Sequence, residues 1–393
     1  MNILIIGAGG VASVLSHTLA RGPSVSRVTC ATSDLKRARQ FLDLKNRKIR
    51  LVKADASSTD DIARVAKGAD LIINASMPNF NEAIMKAALK AKCNYQDLCS
   101  HLKDLKNPEQ LKYHQQFKKA GLVALINTGV APGITNLLVK GIADRLDSLS
   151  DVRIRLLEDQ KASEFIPSWS VEVTLDELSA PPLVYLNKRF ALAKPFEDVE
   201  EYEFPPPYGR RASVNLYGDE VSTIPRYVKV KNVDFKSSGS DIDFSRSLYK
   251  LGFFSKKPVS INGKRVAPVE FFKHSNLKVP SPKEMMALMK KGVVENAIFI
   301  SVVEGIGLES GRKIRMKSTI VYPDLKEIVK RFPGATYISY PTGISAAAFT
   351  KAMHMIKTTG VFPPEALEHD VRKEVLIELE ANGIRVEEEF SKA

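Results

Sequence analysis

Four side chains that can take part in proton transfer lie close together in one short segment of the chain. Tyr95, Asp97, Cys99 and His101 supply a phenol, a carboxylate, a thiol and an imidazole. A carboxylate or an imidazole whose pKa lies near neutrality can serve as a general acid or base. We take Asp97, Tyr95 and His101 as candidate catalytic residues. Asp97 comes first, either as the acid–base group or as the partner of a substrate ammonium group.

Three of these residues also have structural interpretations. Asp97 could cap a helix or hold the neighbouring loop by a hydrogen bond, and this alternative stays open beside the catalytic one. His101 fits a solvent-exposed loop as well as it fits a base. Cys99 fits a small packed residue better than an acid.

A glycine-rich segment near residue 7 predicts a phosphate-binding turn. Residues 2–6 have the pattern of a buried parallel strand, and they lead directly into Gly-Ala-Gly-Gly-Val-Ala and an apolar-periodic helix over 11–19. This order of strand, turn and helix is the context that makes a G-x-G-x-x-G/A match informative. The diphosphate of a dinucleotide would then lie over the helix N-terminus. The candidate cofactor-binding residues of the turn are Gly7, Gly9, Gly10, Val11 and Ala12.

Alternating strands and helices continue to residue 127 and would position these residues. We predict further strands over 28–31, 50–54, 70–75, 95–98 and 122–127. We predict helices over 35–42, 59–66 (capped by Thr59), 81–92 and 108–120. The alternation implies an α/β fold with a doubly wound parallel sheet of the Rossmann type, whose ligands lie at the carboxyl ends of the strands. This edge adds Asp55, Ala56, Asn74, Ala75 and Pro78 to the candidate cofactor site.

The end of the second strand bears on which dinucleotide binds. NAD enzymes usually place an acidic residue there to hold the ribose 2′-hydroxyl. This chain has Thr32 and Ser33, with Arg37 within the next turn. Hydroxyls and a cation suit a 2′-phosphate, so we favour NADP, with NAD as the alternative. Asp34 could supply the missing carboxylate, or it could be the N-cap of the following helix.

A turn-rich segment follows the sixth strand and would line the far end of the site. We expect Gly129 and Val130 to face the nicotinamide ribose. Pro132, Gly133 and Asn136 are candidates for contact with the substrate, although Asn136 could instead cap the next helix and the segment could be a hinge between domains.

The pattern changes beyond residue 150 to short β-like runs broken by Pro- and Gly-rich turns. These runs cover 152–157, 212–216, 227–233, 298–304 and 313–321, with helices over 244–251 and 282–291. Such a mixture predicts an α+β substrate domain with a mixed or antiparallel sheet. We therefore expect a dinucleotide-binding domain over 1–128 and a substrate-binding and dimerisation domain over 129–339. Two helices over 342–356 and 364–382 would return residues 340–393 to the first domain.

Substrate contacts in this second half are harder to assign. Trp169 is either a core or interface residue or a ligand contact. A substrate carboxylate would call for a bidentate arginine. The sequence does not rank the five candidates, which are Arg153, Arg155, Arg210, Arg211 and Arg226. His354 fits a packing residue rather than a base.

Composition narrows the class of protein. A chain of 393 residues with 44% hydrophobic and 26% charged residues is typical of a soluble protein of two domains, and no apolar run is long enough to cross a bilayer. Its three cysteines have no metal-like spacing, which predicts no metal site and favours a reducing cytoplasm. The net charge of +13 is spread along the chain, so we favour a solvated basic surface over a nucleic-acid partner.

Several segments, in order, resemble the saccharopine dehydrogenase-like family, which includes saccharopine reductases, lysine 6-dehydrogenases and carboxynorspermidine synthases. They are GAGGVA, DLIINASMPNFNEAIMKAALKAKCNYQDL, NTGVAPGITNLLV, LYKLGFFSKKPVSINGKRVAPVEFF and TTGVFPPEAL. The resemblance spans most of the chain, and the Pro-Gly turn and the Pro-Pro-Glu close are its more specific parts. It implies NAD(P)-dependent oxidoreduction at a C–N bond of an amino-acid substrate by a dimeric cytoplasmic enzyme.

The chain departs from the family pattern at two places. Lys92-Cys93-Asn94 precedes Tyr95 where members often have glycine and histidine, and Thr32-Ser33 lacks the arginine that is common in NADP binders. We therefore keep three alternatives: oxidation or reductive condensation of the lysine and saccharopine type, condensation of an amine with a semialdehyde of the carboxynorspermidine synthase type, and a catalytically silent NAD(P)-binding regulator.

Overall fold

Two β-sheets organise the computed structural model, which describes residues 1–274 and 277–393. The first sheet has seven parallel strands in the order β17-β6-β5-β4-β1-β2-β3. Its elements up to residue 125 are β1 (Asn2–Ile6), α1 (Gly10–Arg21), β2 (Arg27–Thr32), α2 (Leu35–Phe41), β3 (Ile49–Lys53), α3 (Thr59–Val65), β4 (Leu71–Asn74), α4 (Asn81–Ala91), β5 (Asn94–Asp97), α5 (His114–Ala120) and β6 (Val123–Leu125).

The second sheet is mixed and has nine strands, seven of them in the order β10-β11-β12-β7-β15-β16-β18, with β8 and β9 attached beside β12. Its elements begin with α6 (Ile134–Ala143), β7 (Ser148–Ala162), α7 (Val171–Ser179), β8 (Leu183–Leu186), β9 (Arg189–Leu192), β10 (Glu200–Phe204), β11 (Gly209–Asn215), α8 (Glu220–Tyr227), β12 (Asn232–Ser238) and α9 (Ser240–Lys250). They continue with a small hairpin of β13 (Val259–Ile261) and β14 (Lys264–Val266), then α10 (Pro268–Lys273), α11 (Pro282–Lys290), β15 (Val294–Glu309), β16 (Arg312–Val321) and α12 (Leu325–Arg331).

The C-terminal segment contributes to both sheets. Its elements are α13 (Ser339–Ala352), β17 (Gly360–Phe362), α14 (His369–Ala381) and β18 (Arg385–Lys392). β17 pairs in parallel with β6 of the first sheet, whereas β18 pairs antiparallel with β16 of the second. α13 packs on α1 so closely that a Cβ on Gly343 would lie 2.6 Å from Cβ of Val14.

The structure confirms the predicted fold class, an α/β parallel sheet with an additional mixed sheet. The buried run of β1 and the alternation of strands with helices account for this arrangement, since parallel strands buried on both faces read as continuous apolar segments. No helix in the described ranges is long and apolar enough to cross a membrane.

Several local predictions were wrong. Ser58, not Thr59, caps α3: its hydroxyl accepts a hydrogen bond from the Asp61 backbone N–H at 3.3 Å. The predicted strand over 227–233 is instead the end of α8, a loop and the start of β12. Val228 and Val230 of that loop are buried, and this produced an alternating pattern without a strand. The predicted helix over 364–382 is a short 3-10 turn followed by α14, and strands β17 and β18 were missed.

Candidate active site

A cleft of about 780 Å³ lies between the carboxyl edge of the parallel sheet and the mixed sheet. The parallel-sheet side contributes the glycine turn and the loops that follow β2, β4, β5 and β6. The other side contributes β7, α7, α9, the loop before α8 and the start of α13. The cleft thus lies at the ligand-binding edge predicted for a doubly wound sheet.

The glycine turn has the geometry of a diphosphate cradle. Gly7 has a φ of +109°, and a Cβ there would lie 2.5 Å from the carbonyl oxygen of Ala75, so only glycine fits. A Cβ on Gly9 would meet no atom within 4 Å, because this position faces the open cleft. The N-terminus of α1 has no side-chain cap and no acidic residue in its first turn. Its backbone N–H groups and positive dipole end suit a diphosphate.

Most of the predicted cofactor residues line the cleft. They are Gly7, Gly9, Gly10, Val11, Thr32, Arg37, Ala75, Pro78, Gly129 and Val130. Asp34 also lines it, but its carboxylate accepts a hydrogen bond from the Arg37 backbone N–H at 2.9 Å and therefore serves as the N-cap of α2. The Arg37 guanidinium donates to the carbonyl of Val279 at 3.1 Å, across the cleft mouth.

Five predicted cofactor residues do not line the cleft. Ala12 is fully buried beneath the turn, and Ser33 is exposed beyond it. Asp55 accepts hydrogen bonds from Ser57 within its own exposed loop, beside Ala56. Asn74 lies below the surface of the cleft, where its amide oxygen accepts from the backbone and hydroxyl of Ser76 at 2.9 and 2.7 Å. Asn74 thereby shapes the loop that carries Ala75 to Pro78.

Asp97 and Tyr95 lie behind the cleft rather than in it. Tyr95 is 0% and Asp97 1% exposed, and Tyr95 Oη is 2.9 Å from Asp97 Oδ2 and 3.0 Å from Asn81 Oδ1. The other Asp97 oxygen accepts the Asn127 backbone N–H at 2.7 Å, and the Asp97 carbonyl accepts the Thr128 hydroxyl at 2.6 Å. These bonds connect the end of β5 to the loop that begins the cleft-lining segment at Gly129.

Burial, reinforced by the nearby carboxylate of Glu109, raises the pKa of Asp97 to about 8. A protonated Asp97 fits its surroundings, because it can donate to the Tyr95 oxygen while Tyr95 donates to Asn81. The Gln110 side-chain oxygen is buried and has no hydrogen-bond partner among the described residues, and the side-chain nitrogen of Gln110 is 3.1 Å from Asp97 Oδ2. Burial likewise raises the pKa of Glu109 to about 7. This cluster is a buried polar core rather than a ligand surface.

His101 lies outside the cleft. It lines a neighbouring cavity of about 500 Å³ that shares a wall with the cleft at Met77, Pro78, Val173 and Glu177. Burial lowers the pKa of His101, which favours its neutral form. Cys99 does line the cleft, and burial raises the pKa of its thiol well above the usual value, so it remains a protonated packed residue.

The predicted substrate contacts divide into two groups. Pro132 and Trp169 line the cleft. Gly133 and Asn136 lie behind it: Gly133 has a φ of +138°, and its N–H donates to the Asn136 side-chain oxygen at 3.0 Å. Asn136 is fully buried and also donates to the Thr223 hydroxyl at 3.2 Å, so it holds the loop instead of facing a ligand.

Four carboxylates line the cleft on the mixed-sheet side, and the sequence analysis had not selected them. They are Glu158 on β7, Glu177 on α7, Asp219 before α8 and Asp241 on α9. Asp219 accepts the Ser100 backbone N–H and the Tyr217 hydroxyl, both at 2.9 Å. The one signal available in the sequence was Glu158, which directly follows the predicted strand over 152–157. The four residues come from four separate elements, so no single motif contains them.

All four carboxylates have a raised pKa. Burial is the main cause, and it brings the pKa of Asp219 to about 6 and that of Glu158 to about 7, the latter with help from Asp241. The pKa of Glu177 is raised further by burial and by the charges of Asp219 and Glu158. Burial also raises the pKa of Asp241, although the hydrogen bonds that it accepts from Gln160 and the Tyr337 hydroxyl, both at 2.7 Å, act in the opposite direction. Within the described residues, none of the four forms an ion pair with a lysine, arginine or histidine.

The predicted carboxylate-binding arginines are all elsewhere. Arg153 and Arg155 lie on the opposite face of β7 and both pair with Glu200. Arg226 donates to the 106–107 loop, and Arg210 pairs with exposed Glu203. Arg211 likewise does not line the cleft. Side chains alternate between the two faces of a strand, so the arginines of β7 cannot share the face of Glu158. Among the described lining residues, the cations are Arg37 and Lys278, both at the cofactor end.

Two family models together match nearly the whole length. Residues 3–125 match the saccharopine dehydrogenase NADP-binding domain, and residues 129–384 match the saccharopine dehydrogenase C-terminal domain. The chain belongs to the saccharopine dehydrogenase family. It is an NAD(P)-dependent oxidoreductase that acts on a CH–NH group and uses a nicotinamide cofactor.

Relatives and a solved structure agree with this assignment. The chain is 24% identical to the carboxynorspermidine synthase of Vibrio cholerae, over 94% of this chain and 93% of that protein. It is also 24% identical to the carboxyaminopropylagmatine dehydrogenase of Synechocystis sp., with the same coverage of both chains. The saccharopine dehydrogenase (L-Glu forming) of Saccharomyces cerevisiae shares the fold, with a TM-score of 0.72 at 15% identity over 99% of both chains.

Proposed function

We propose that this enzyme uses NADPH to condense an amine with a carboxyl-bearing semialdehyde, forming a secondary amine. The observation that carries the proposal is the group of four cleft carboxylates, Glu158, Glu177, Asp219 and Asp241, which among the described residues have no cationic partner. Unpaired carboxylates in a partly buried site attract a cationic ligand. A substrate with an ammonium group at its far end matches this surface.

The names of two relatives support an amine substrate. Norspermidine and agmatine are both amines, and "carboxyaminopropyl" describes the carbon skeleton that aspartate semialdehyde would leave on nitrogen after reduction. Saccharopine, like lysine together with 2-oxoglutarate, carries three carboxylates against one on the semialdehyde, whereas the cations among the described lining residues both lie at the cofactor end and all five candidate arginines lie elsewhere. We therefore place the lysine and saccharopine type of reaction second.

The reaction requires one carbon–nitrogen bond to form and one carbon–oxygen bond to break. The free amine attacks the aldehyde carbon, water leaves, and the resulting imine carbon is reduced, which consumes one proton. The nicotinamide would supply the hydride. NADPH, proton, amine and aldehyde thus give NADP, water and the secondary amine.

The residues of the chain would bind the substrate and move the protons. We assign Glu158 and Asp241 to the ammonium group, because both line the cleft on neighbouring elements. We assign Asp219 to acid–base work, because its pKa of about 6 allows both protonation states near neutrality and it accepts the backbone N–H of Ser100, beside cleft-lining Cys99. Trp169 would shield the imine from water. Asp97 and Tyr95 become positioning residues for the 127–130 loop.

The remaining parts of the proposal concern organisation. We propose NADP over NAD, because Arg37 lines the cleft while Asp34 is engaged as a helix cap. We propose a dinucleotide domain over 1–128 with a substrate domain over 129–339, a homodimer, and a cytoplasmic location. Segment 340–393 would serve both domains, as its pairing with both sheets suggests.

A substrate panel tests the reaction. Purified enzyme would be mixed with NADPH or NADH and with agmatine or 1,3-diaminopropane plus aspartate semialdehyde, and oxidation followed at the nicotinamide absorbance. Lysine with 2-oxoglutarate, and saccharopine with NADP, complete the panel. We expect NADPH oxidation with an amine and the semialdehyde only. Turnover with lysine or saccharopine alone would contradict the proposal.

A glycine pair separates loss of cofactor binding from loss of fold. Gly9→Leu should abolish the fluorescence change of NADPH on binding while leaving the thermal unfolding midpoint unchanged, since the added side chain points into open space. Gly7→Leu should lower the midpoint itself, because its Cβ meets backbone at 2.5 Å. If folded wild type binds NADPH but turns over no substrate combination of the panel, the result would favour a catalytically silent NAD(P)-binding regulator instead.

A further inference from the structure

We propose that Lys278, from the mixed-sheet half, is a specificity-determining residue for the 2′-phosphate of NADP. The inference rests on the proposed preference for NADP, because only that cofactor carries a phosphate at this position. Sequence analysis placed the 2′-phosphate site entirely on the loop after β2. The structure brings a second segment to the same place.

Arg37 connects the two segments. It lies in the first turn of α2, shortly after the end of β2, and its guanidinium donates to the Val279 carbonyl at 3.1 Å. The same guanidinium lies 5.3 Å from the centroid of the Phe41 ring, which limits its movement. Residues 277–279 therefore lie beside the ribose end of the cleft.

The backbone of this second segment is fixed while the Lys278 side chain remains adjustable. Pro280 is buried, and Ser281 and Glu284 form a reciprocal cap at the start of α11, with the Ser281 N–H donating to Glu284 at 2.7 Å. The Lys278 ammonium is 3.4 Å from the other Glu284 oxygen, and its side chain is 59% exposed. A weak exposed ion pair of this kind costs little to rearrange toward a phosphate.

The charge distribution of the cleft makes Lys278 more than a surface lysine. Of the described residues that line the cleft, Arg37 and Lys278 are the cations, and both lie at the same end. The carboxylates Glu158, Glu177, Asp219 and Asp241 lie at the other. Asp34 also lies at the cation end, where its carboxylate is engaged as the N-cap of α2. A 2′-phosphate carries about two negative charges, so it is attracted to the one end that offers cations, and two cations serve it better than one.

The test compares cofactor binding by wild type, Lys278→Gln and a matched control, Lys283→Gln. Lys283 is an exposed lysine on α11 that does not line the cleft. We expect Lys278→Gln to raise the Kd for NADPH, measured by fluorescence titration at low salt, about tenfold and to leave the Kd for NADH unchanged. Lys278→Arg should restore binding of NADPH, and Lys283→Gln should match wild type.

The outcomes separate this inference from the proposed cofactor. If wild type binds NADH as tightly as NADPH, the NADP preference fails and the role of Lys278 fails with it. If wild type prefers NADPH but Lys278→Gln does not change that preference, the inference alone is overturned. An equal loss for both cofactors would also overturn it, because Lys278 would then be supporting the segment and not the phosphate. Thermal unfolding of each variant shows whether the fold is intact.

Discussion

Two groups of acids lie on either side of the segment from Leu98 to Ser100, and they differ in what surrounds them. The group around Asp97 and Glu109 is enclosed by hydrogen-bonding side chains. The group around Asp219 and Glu158 faces an open cleft and has few partners. Both have raised pKa values, which shows that a perturbed pKa by itself does not distinguish a structural acid from one that meets a ligand.

Contact with the cleft decides the role of each acid. Asp97 has lost water and gained a network, so its proton stays in place and it orders the 127–130 loop. Asp219 is also buried, but it lines the cleft and has a pKa of about 6, so we expect its proton to be exchanged with a ligand. The variants that follow test this difference.

The largest effect is expected for Asp219→Asn. Loss of the proposed acid–base group should reduce kcat about 100-fold, in line with the usual contribution of such a group. Binding of NADPH should be unchanged in a fluorescence titration. Asp243→Asn, an exposed acid of α9, provides the control and should retain wild-type turnover. An unchanged kcat in Asp219→Asn would remove this residue from the chemistry.

Glu158→Gln should act on binding instead. The variant keeps the shape of the side chain and loses its charge, so we expect KM for the amine to rise about tenfold, which corresponds to ~1.4 kcal/mol. The effect on kcat should be much smaller. Steady-state kinetics with varied amine give the result, and Glu295→Gln, on the surface of β15, is the control. A fall in kcat without a change in KM would contradict the assignment.

The pH dependence of KM for the amine follows from the same residue. Burial raises the pKa of Glu158 to about 7, so the carboxylate takes up a proton and loses its charge as the pH falls below that value. KM should therefore increase toward low pH in wild type. In Glu158→Gln the same profile, measured from pH 6 to 8.5, should be nearly flat. A profile that remains as steep as wild type would assign the titration to another group.

Asp97→Asn should have the smallest effect on turnover, about threefold or less, since an amide replaces a carboxylic acid that already holds its proton. The Gln110 amide can turn to offer its unpartnered oxygen to the new group. A loss of kcat as large as that in Asp219→Asn would show that Asp97 meets the reacting atoms and would reverse the comparison.

The same variant should also change how the free energy of unfolding depends on pH. The folded pKa of Asp97, about 8, lies above its unfolded value, so its contribution to the free energy of unfolding is present at acidic pH and is lost as pH rises toward 8. Wild type should thus lose more stability between pH 5 and pH 8 than Asp97→Asn does. Thermal unfolding midpoints of both proteins at the two pH values measure this difference.

The sequence predicted the parallel sheet and the glycine turn because local chemistry determines both. Gly7 needs a positive φ, and the apolar run of β1 is readable without any distant contact. The catalytic assignment did not account for burial. Tyr95 and Asp97 lie on β5, which ends at the correct edge of the sheet, yet Asn81, Gln110 and Asn127 enclose them.

The cleft residues on the mixed-sheet side could not be predicted from the sequence for a different reason. Glu158, Glu177, Asp219 and Asp241 come from four elements whose meeting depends on packing of the mixed sheet. The same holds for Lys278, which approaches Arg37 only through contacts between residues far apart in the sequence. Short strands such as β17 carry too few residues to show a period, so pairing with β6 was not visible either.

The pairing of the last residues with both sheets has a consequence for biosynthesis. Neither sheet has its full set of strands until β17 and β18 are present, and the start of α1, where the diphosphate would bind, is packed against α13. A nascent chain that still lacks β17 and β18 would therefore expose an unfinished edge on each sheet. Cofactor present once both strands have paired would favour the completed form.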